Sequence, residues 1–142
     1  MGGELSSYRD LKVWQRAVDM VEGMYCLSRR LPSEEKFGLT SQLRRAAVSV
    51  PANIAEGYGR AQRGEYLQHL SIARGSLAEV ETLLVLCVRL KLLDREETRT
   101  AWELCQETGR MLGALQSSLR SSRPSTKVQV QDIGNTSGSG HG

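Results

Sequence analysis

The 142-residue sequence predicts an all-α fold: an up-down-up-down four-helix bundle with a proline-bent second helix. Three observations predict it. Aromatic residues make up only 5% of the chain, so Leu, Val, Ala and Met must fill the core, which suits helix packing better than a sheet. Apolar residues recur in steps of three and four in four separate segments. The connections between those segments are short, as antiparallel neighbours in a bundle require.

The first segment carries Leu11, Trp14, Val18, Val21 and Tyr25, widened by Ala17 and Met24. Asp10 is its expected N-cap, and it runs out near Arg30, before Leu31 and Pro32. Ser33, followed by Glu34, Glu35 and Lys36, reads as a second helix start. The apolar face of the second helix is Leu39, Leu43, Ala46, Val50 and Ile54. Within it lies VSVPANIAEGYGR, residues 48–60. Pro51 has no N–H to give the Ala47 carbonyl, and its ring crowds that group. Yet the apolar phase steps from Leu43 through Ala47 and Val50 to Ile54, so the helix is expected to bend there and to break only at residues 57–59.

The third segment is the most regular. Tyr66, Leu70, Ala73, Leu77, Val80, Leu84 and Cys87 form a heptad seam of the kind bundles use. Asp94 and Glu97 resemble a capping box opening the fourth helix, whose inward face is Ala101, Leu104, Cys105, Thr108, Met111, Leu112, Leu115 and Leu119. The bundle is therefore expected over residues 8–120, with a flexible amino terminus at 1–7. The Ser/Gly/Thr-rich stretch 121–142 reads as a flexible polar tail.

Net charge is +3, and it is regional. Residues 36–74 hold six basic side chains against two acidic ones, and the rest of the chain is close to neutral. The three cysteines, Cys26, Cys87 and Cys105, sit in apolar helical patterns, as reduced core thiols would. No signal-peptide pattern is visible, and the most apolar segment, residues 83–93, falls short of the roughly 20 residues needed to cross a bilayer. A cytoplasmic protein with no membrane partner is expected.

Enzymatic signatures fail. GYGRAQRG, residues 57–64, has the wrong glycine spacing for a nucleotide loop and follows a helix rather than a strand. His69 and His141 are the only histidines, so neither a di-iron nor a zinc ligand set is present, and Glu65 is the expected partner of His69. No cofactor, metal or small-molecule substrate is expected. Two features point to binding instead. Leu83, Leu86 and Leu90 form a second stripe on the third helix that one core does not need, which predicts an oligomer interface; a deeply buried central helix is the alternative. Asn53 and Glu56, near the carbonyl freed by Pro51, suggest a buried polar network; a solvated face is the alternative.

YRDLKVWQRAVDM (residues 8–20), GLTSQLRRAAVSVPANIAEGYGR (38–60) and ARGSLAEVETLL (73–84) occur in order and cover nearly the whole patterned chain. Together they resemble the four-helix bundle family first noted in open reading frames within intervening sequences of bacterial large-subunit ribosomal RNA. The resemblance implies a ring-like homopentamer. It also implies kinship with the accessory variability protein of diversity-generating retroelements, which partners a reverse transcriptase and binds nucleic acid through a basic surface. On that reading the chain is a non-enzymatic RNA- or DNA-binding accessory protein. Arg60, Arg63 and Arg74 are the expected phosphate contacts. Arg44 and Arg45 belong to the same basic stretch, although one of them could instead pair with Glu56, Glu79 or Glu81 in a structural network. The rival reading is a protein-interaction scaffold that does not touch nucleic acid.

Overall fold

The computed structural model describes residues 7–121, and the expectations for residues 1–6 and 122–142, including the polar tail and His141, lie outside them. Four helices are present and, among the described residues, no strand: α1 (Lys12–Ser28), α2 (Leu39–Tyr58), α3 (Arg63–Arg89) and α4 (Arg99–Ser121). Two 3₁₀ turns, Tyr8–Asp10 and Ser33–Glu35, precede α1 and α2.

Side-chain contacts fix the order and direction of packing. Arg44 reaches Ser28 between α1 and α2 at 2.8 Å, and Ser49 meets Ser76 between α2 and α3 at 2.8 Å. Gln106 reaches Glu81 between α4 and α3 at 3.0 Å, and Arg16 lies 3.1 Å from Glu107 between α1 and α4. Where two contacts join the same helices, rising numbers on one meet falling numbers on the other. Each helix therefore packs antiparallel on two neighbours, most extensively α2 on α3.

The core confirms the seams of α2, α3 and α4 and rotates that of α1. Every member of the α3 heptad is buried, as are Leu43, Ala46, Val50 and Ile54 of α2. On α1 the buried face is Val13, Ala17, Met20, Met24 and Leu27, whereas Trp14 and Val21 pack on its flank. The rotation arises because α1 must face α2 and α4 at once. A fully buried side chain of the size of Leu43 or Leu70 stabilises the fold by about 1.5–3 kcal/mol.

Helix ends differ from expectation in three places. Asp10 does not cap α1: with Ser7 it closes a capping box on the first 3₁₀ turn, and Leu11 is the N-cap. The start read at Ser33 is only a 3₁₀ turn, but its Glu35 carboxylate accepts the Leu39 N–H at 3.1 Å and so serves the first turn of α2. The Asp94–Glu97 box forms reciprocally, both bonds 2.8 Å, and closes a turn ahead of the regular helix at Arg99. Helix α2 runs unbroken through buried Pro51 and ends beside Gly59, as the continuous apolar phase implied.

Two sites in the α2–α3 contact generate predictions. A Cβ on Gly57 would stand 2.8 Å from His69 Cβ and 3.0 Å from Tyr66 Cδ1. Gly57→Ala is expected to lower unfolding free energy by about 1–3 kcal/mol in chemical denaturation, despite the better helix propensity of alanine. The Tyr66 hydroxyl is buried without a hydrogen-bond partner, and burial raises its pKa above the ordinary phenol value. Tyr66→Phe removes an unpaired polar atom, so unchanged stability or a gain of about 1 kcal/mol is expected in the same assay.

Candidate interaction surface

Helices α2 and α3 are joined by a polar seam. Asn53 donates to the Ser49 carbonyl at 2.9 Å and to Ser49 Oγ at 3.1 Å, while Ser49 Oγ also pairs with Ser76 Oγ. The Asn53 Oδ1 atom lies 3.1 Å from Nδ1 of His69, whose Nε2 is 4.0 Å from Glu56. Glu56 in turn accepts from Arg60 at 2.7 Å. Asn53 and Glu56 thus share a polar network, but it is not the buried one expected: Asn53 is half-buried, Glu56 and Arg60 are exposed, and Glu79 and Glu81 stand outside it. Glu79 is exposed on α3. Glu81 accepts from Gln106 on the α4 side, and burial raises its carboxyl pKa. His69 is a member of the seam rather than the partner of Glu65, because its ring is turned toward α2.

The five arginines do not make one patch. Arg44 is held against α1, its Nε on Ser28 and its guanidinium 4.7 Å from the Tyr25 ring centroid. Arg45 is exposed. Arg60 pairs with Glu56, and Arg63, the first residue of α3, is also engaged within the protein. Arg74 donates to Gln116 of α4 at 3.1 Å, and Gln116, itself buried, donates to Ser71. Arg45 lies in the first half of α2 and Arg60 just past its end, with thirteen residues of helix, about 20 Å, from Arg45 to Tyr58. Sequence proximity grouped side chains that the helix sets at opposite ends.

The second stripe of α3 divides in two. Leu83 is 5% exposed and belongs to the core of the bundle itself, because it turns toward α2. Leu86 and Leu90 are 41% and 59% exposed. They have company that the sequence did not reveal: Phe37, 87% exposed before α2, Val85 on α3 and Trp102 near the start of α4. The antiparallel topology brings all five to one end of the bundle, where α2 and α4 begin and α3 terminates. Burial chiefly, and the Glu35 carboxylate further, raise the Cys87 thiol pKa. Five of the seven exposed large hydrophobics of the described residues sit at this end. Phe37 carried no periodicity to reveal it; only the fold brings it to α3.

Among the described residues no group of three or more His, Cys, Asp or Glu could hold a metal ion, and no helix is long and apolar enough to cross a membrane. Cys87 and Cys105 are buried free thiols, as expected, but Cys26 is exposed on the outer side of α1. Burial, with Glu81 nearby, pushes the Cys105 thiol up to about 12.

The model of the 23S rRNA-intervening sequence protein family matches residues 9–114. A crystal structure of a protein of unknown function from the S23 ribosomal protein family, from Bacteroides thetaiotaomicron, superposes with a TM-score of 0.66. It is 26% identical, and the similarity covers 70% of this chain and 94% of that one. No curated protein matches the chain.

The seam and the thiols are each open to measurement. Asn53→Ala removes the side chain that links Ser49 to His69, and a loss of about 1–3 kcal/mol in unfolding free energy is expected. In native protein at pH 8, iodoacetamide should modify Cys26 and leave Cys87 and Cys105 intact until denaturant is added, with mass spectrometry identifying the alkylated peptides. Because the folded state holds Cys105 protonated past the ordinary thiol range, its contribution to stability is complete below about pH 8.5 and declines as pH rises beyond it.

Proposed function

Because the chain belongs to the 23S rRNA-intervening sequence protein family, we propose that it is a non-enzymatic, self-associating accessory protein that binds RNA or DNA. The observation that carries the self-association is the apolar end of the bundle, where Phe37, Leu86 and Leu90 are exposed together. Large exposed apolar side chains gathered at one end are what an association site presents. Five copies in a ring is the number implied by the resemblance. A ring repeats each basic side chain around its axis, so weak phosphate contacts gain avidity. Exposed Arg45 is offered for this role, joined by Arg60, Arg63 and Arg74 where a phosphate exchanges for the partners they have inside the protein, and a reverse transcriptase is the protein partner the resemblance implies.

A second reading, a protein-interaction scaffold without direct nucleic-acid contact, draws on one specific observation. Arg44, Arg60 and Arg74 each have a partner inside the protomer, which a phosphate would have to displace or share.

Two experiments test these readings. Leu86→Glu is expected to abolish assembly in sedimentation velocity while the thermal melt stays within a few degrees of wild type, because Leu86 is 41% exposed. A wild-type chain that sediments as a monomer at micromolar concentration contradicts self-association. For nucleic acid, salt-titrated binding to single-stranded RNA and DNA should give a steep dependence of affinity on salt. The slope should fall by about one in Arg45→Glu. Absence of binding even at low salt leaves the scaffold reading.

A further inference from the structure

The polar seam between α2 and α3 holds a histidine whose two ring nitrogens face two different acceptors. The Asn53 amide decides the first. Its nitrogen donates to the Ser49 carbonyl at 2.9 Å, and a carbonyl only accepts, so the amide oxygen is the atom that faces His69. Nδ1 of His69 stands 3.1 Å from that oxygen and therefore carries a hydrogen. In the neutral ring the lone pair then belongs to Nε2. Nε2 faces a second acceptor, Glu56 Oε2, at 4.0 Å, beyond hydrogen-bond length. Neutral His69 thus turns a lone pair toward a carboxylate. The protonated ring would donate from both nitrogens at once.

The oxygen that faces Nε2 is already held. Arg60 Nη2 donates to the same Oε2 at 2.7 Å. The Glu56 side chain is 53% open to solvent and that of His69 is 18% open, so the carboxylate has room to swing and protons reach the ring. The charged groups that face the ring from α2 are Glu56 and Arg60, and Glu65 lies one turn back on α3. Tyr58 and Tyr66 are packed edge to face on each other. Helix α4 meets α3 through Ser71 and Arg74, which project from other faces of the helix, so its charges stand away from His69.

We propose that this end of the seam is a proton-operated latch on Arg60. A proton from solvent binds Nε2, and the new N–H closes on Glu56 Oε2. Closure shortens the gap by about 1 Å, to the length of a charge-assisted hydrogen bond. One carboxylate oxygen then answers two cations, and its hold on Arg60 weakens. Charge acts in the same direction: Glu56 and Arg60 cancel while His69 is neutral, and one positive charge is left over when the ring is protonated. Histidine is the side chain whose charge changes between about pH 5 and 8, so a modest change in proton concentration works the latch. Its consequence for phosphate rests on the nucleic-acid reading above: acidification releases Arg60 to a phosphate, and neutral pH returns it to Glu56.

Nuclear magnetic resonance of the isotope-labelled full chain tests the latch with no ligand present. At pH 8 the ring nitrogens of His69 should report the Nδ1–H tautomer. Lowering the pH to about 5.5 should move the Arg60 Nε–H resonance in wild type and leave it in place in His69→Gln and in Glu56→Gln. Thermal melts by circular dichroism verify that both variants fold, and Glu56→Gln alters an exposed side chain. An Nε2–H tautomer at pH 8 overturns the proposal, as does an Arg60 resonance that moves equally in wild type and in His69→Gln. Binding to single-stranded RNA reads the consequence. Wild type should bind severalfold more tightly at pH 5.5 than at pH 8, and His69→Gln should remove that factor; His141 is common to both chains and cancels. RNA binding with the same pH dependence in both chains brings down the latch as a regulator of phosphate contact. No RNA binding at either pH, with the Arg60 response intact, brings down the nucleic-acid reading and leaves the latch standing.

Discussion

The close antiparallel packing of α2 on α3 is the constraint on which the rest of this structure depends. Gly57 lets the two helices approach where any side chain would collide with His69 and Tyr66. The chain of hydrogen bonds from Ser76 through Ser49 and Asn53 to His69 then fixes their register. Apolar packing alone is tolerant of a one-turn slip, because leucines and valines are nearly equivalent partners. A directional bond between buried or half-buried polar groups is not, since a slip would leave each of them unpaired. With α2 and α3 locked, the start of α2 is held against the end of α3. That juxtaposition brings Phe37, Leu86 and Leu90, all exposed, to the same end of the bundle.

Much of the fold was legible in the sequence. The α3 seam was readable residue by residue because a helix at the centre of a heptad pattern has one buried stripe and one period. Pro51 did not mislead, since the apolar phase on either side of it was continuous. The α1 stripe was misplaced because both of its flanks pack on neighbours, which makes half-buried Trp14 and Val21 look like core. Capping at Asp10 was misassigned for a related reason: Ser7 competes for it, and only geometry decides which turn the carboxylate serves.

The surface was less legible. Periodicity placed Leu86 and Leu90 outside the seam, and Leu83 with them, yet a 20° difference around the helix separates a core leucine from an exposed one. The arginines illustrate the converse problem. Their density in residues 36–74 is real, but a helix of 20 residues spreads neighbours in sequence over about 30 Å, and several partners lie on other helices. Ser28, Tyr25 and Gln116, which hold Arg44 and Arg74, had no pattern linking them to those positions. Membership of the family supplies the shape of the protomer, while the exposed chemistry of this chain supplies the direction of the functional argument.

The central claim is that the apolar end of the bundle is covered by another copy of the chain. Hydroxyl-radical footprinting of the wild-type protein, read by mass spectrometry at nanomolar and at tens of micromolar concentration, tests it most directly. Oxidation of Phe37 and Leu90 should fall severalfold at the higher concentration while that of exposed Val48 stays constant. Equal oxidation of Phe37 at both concentrations, with Val48 as the internal reference, would contradict the account.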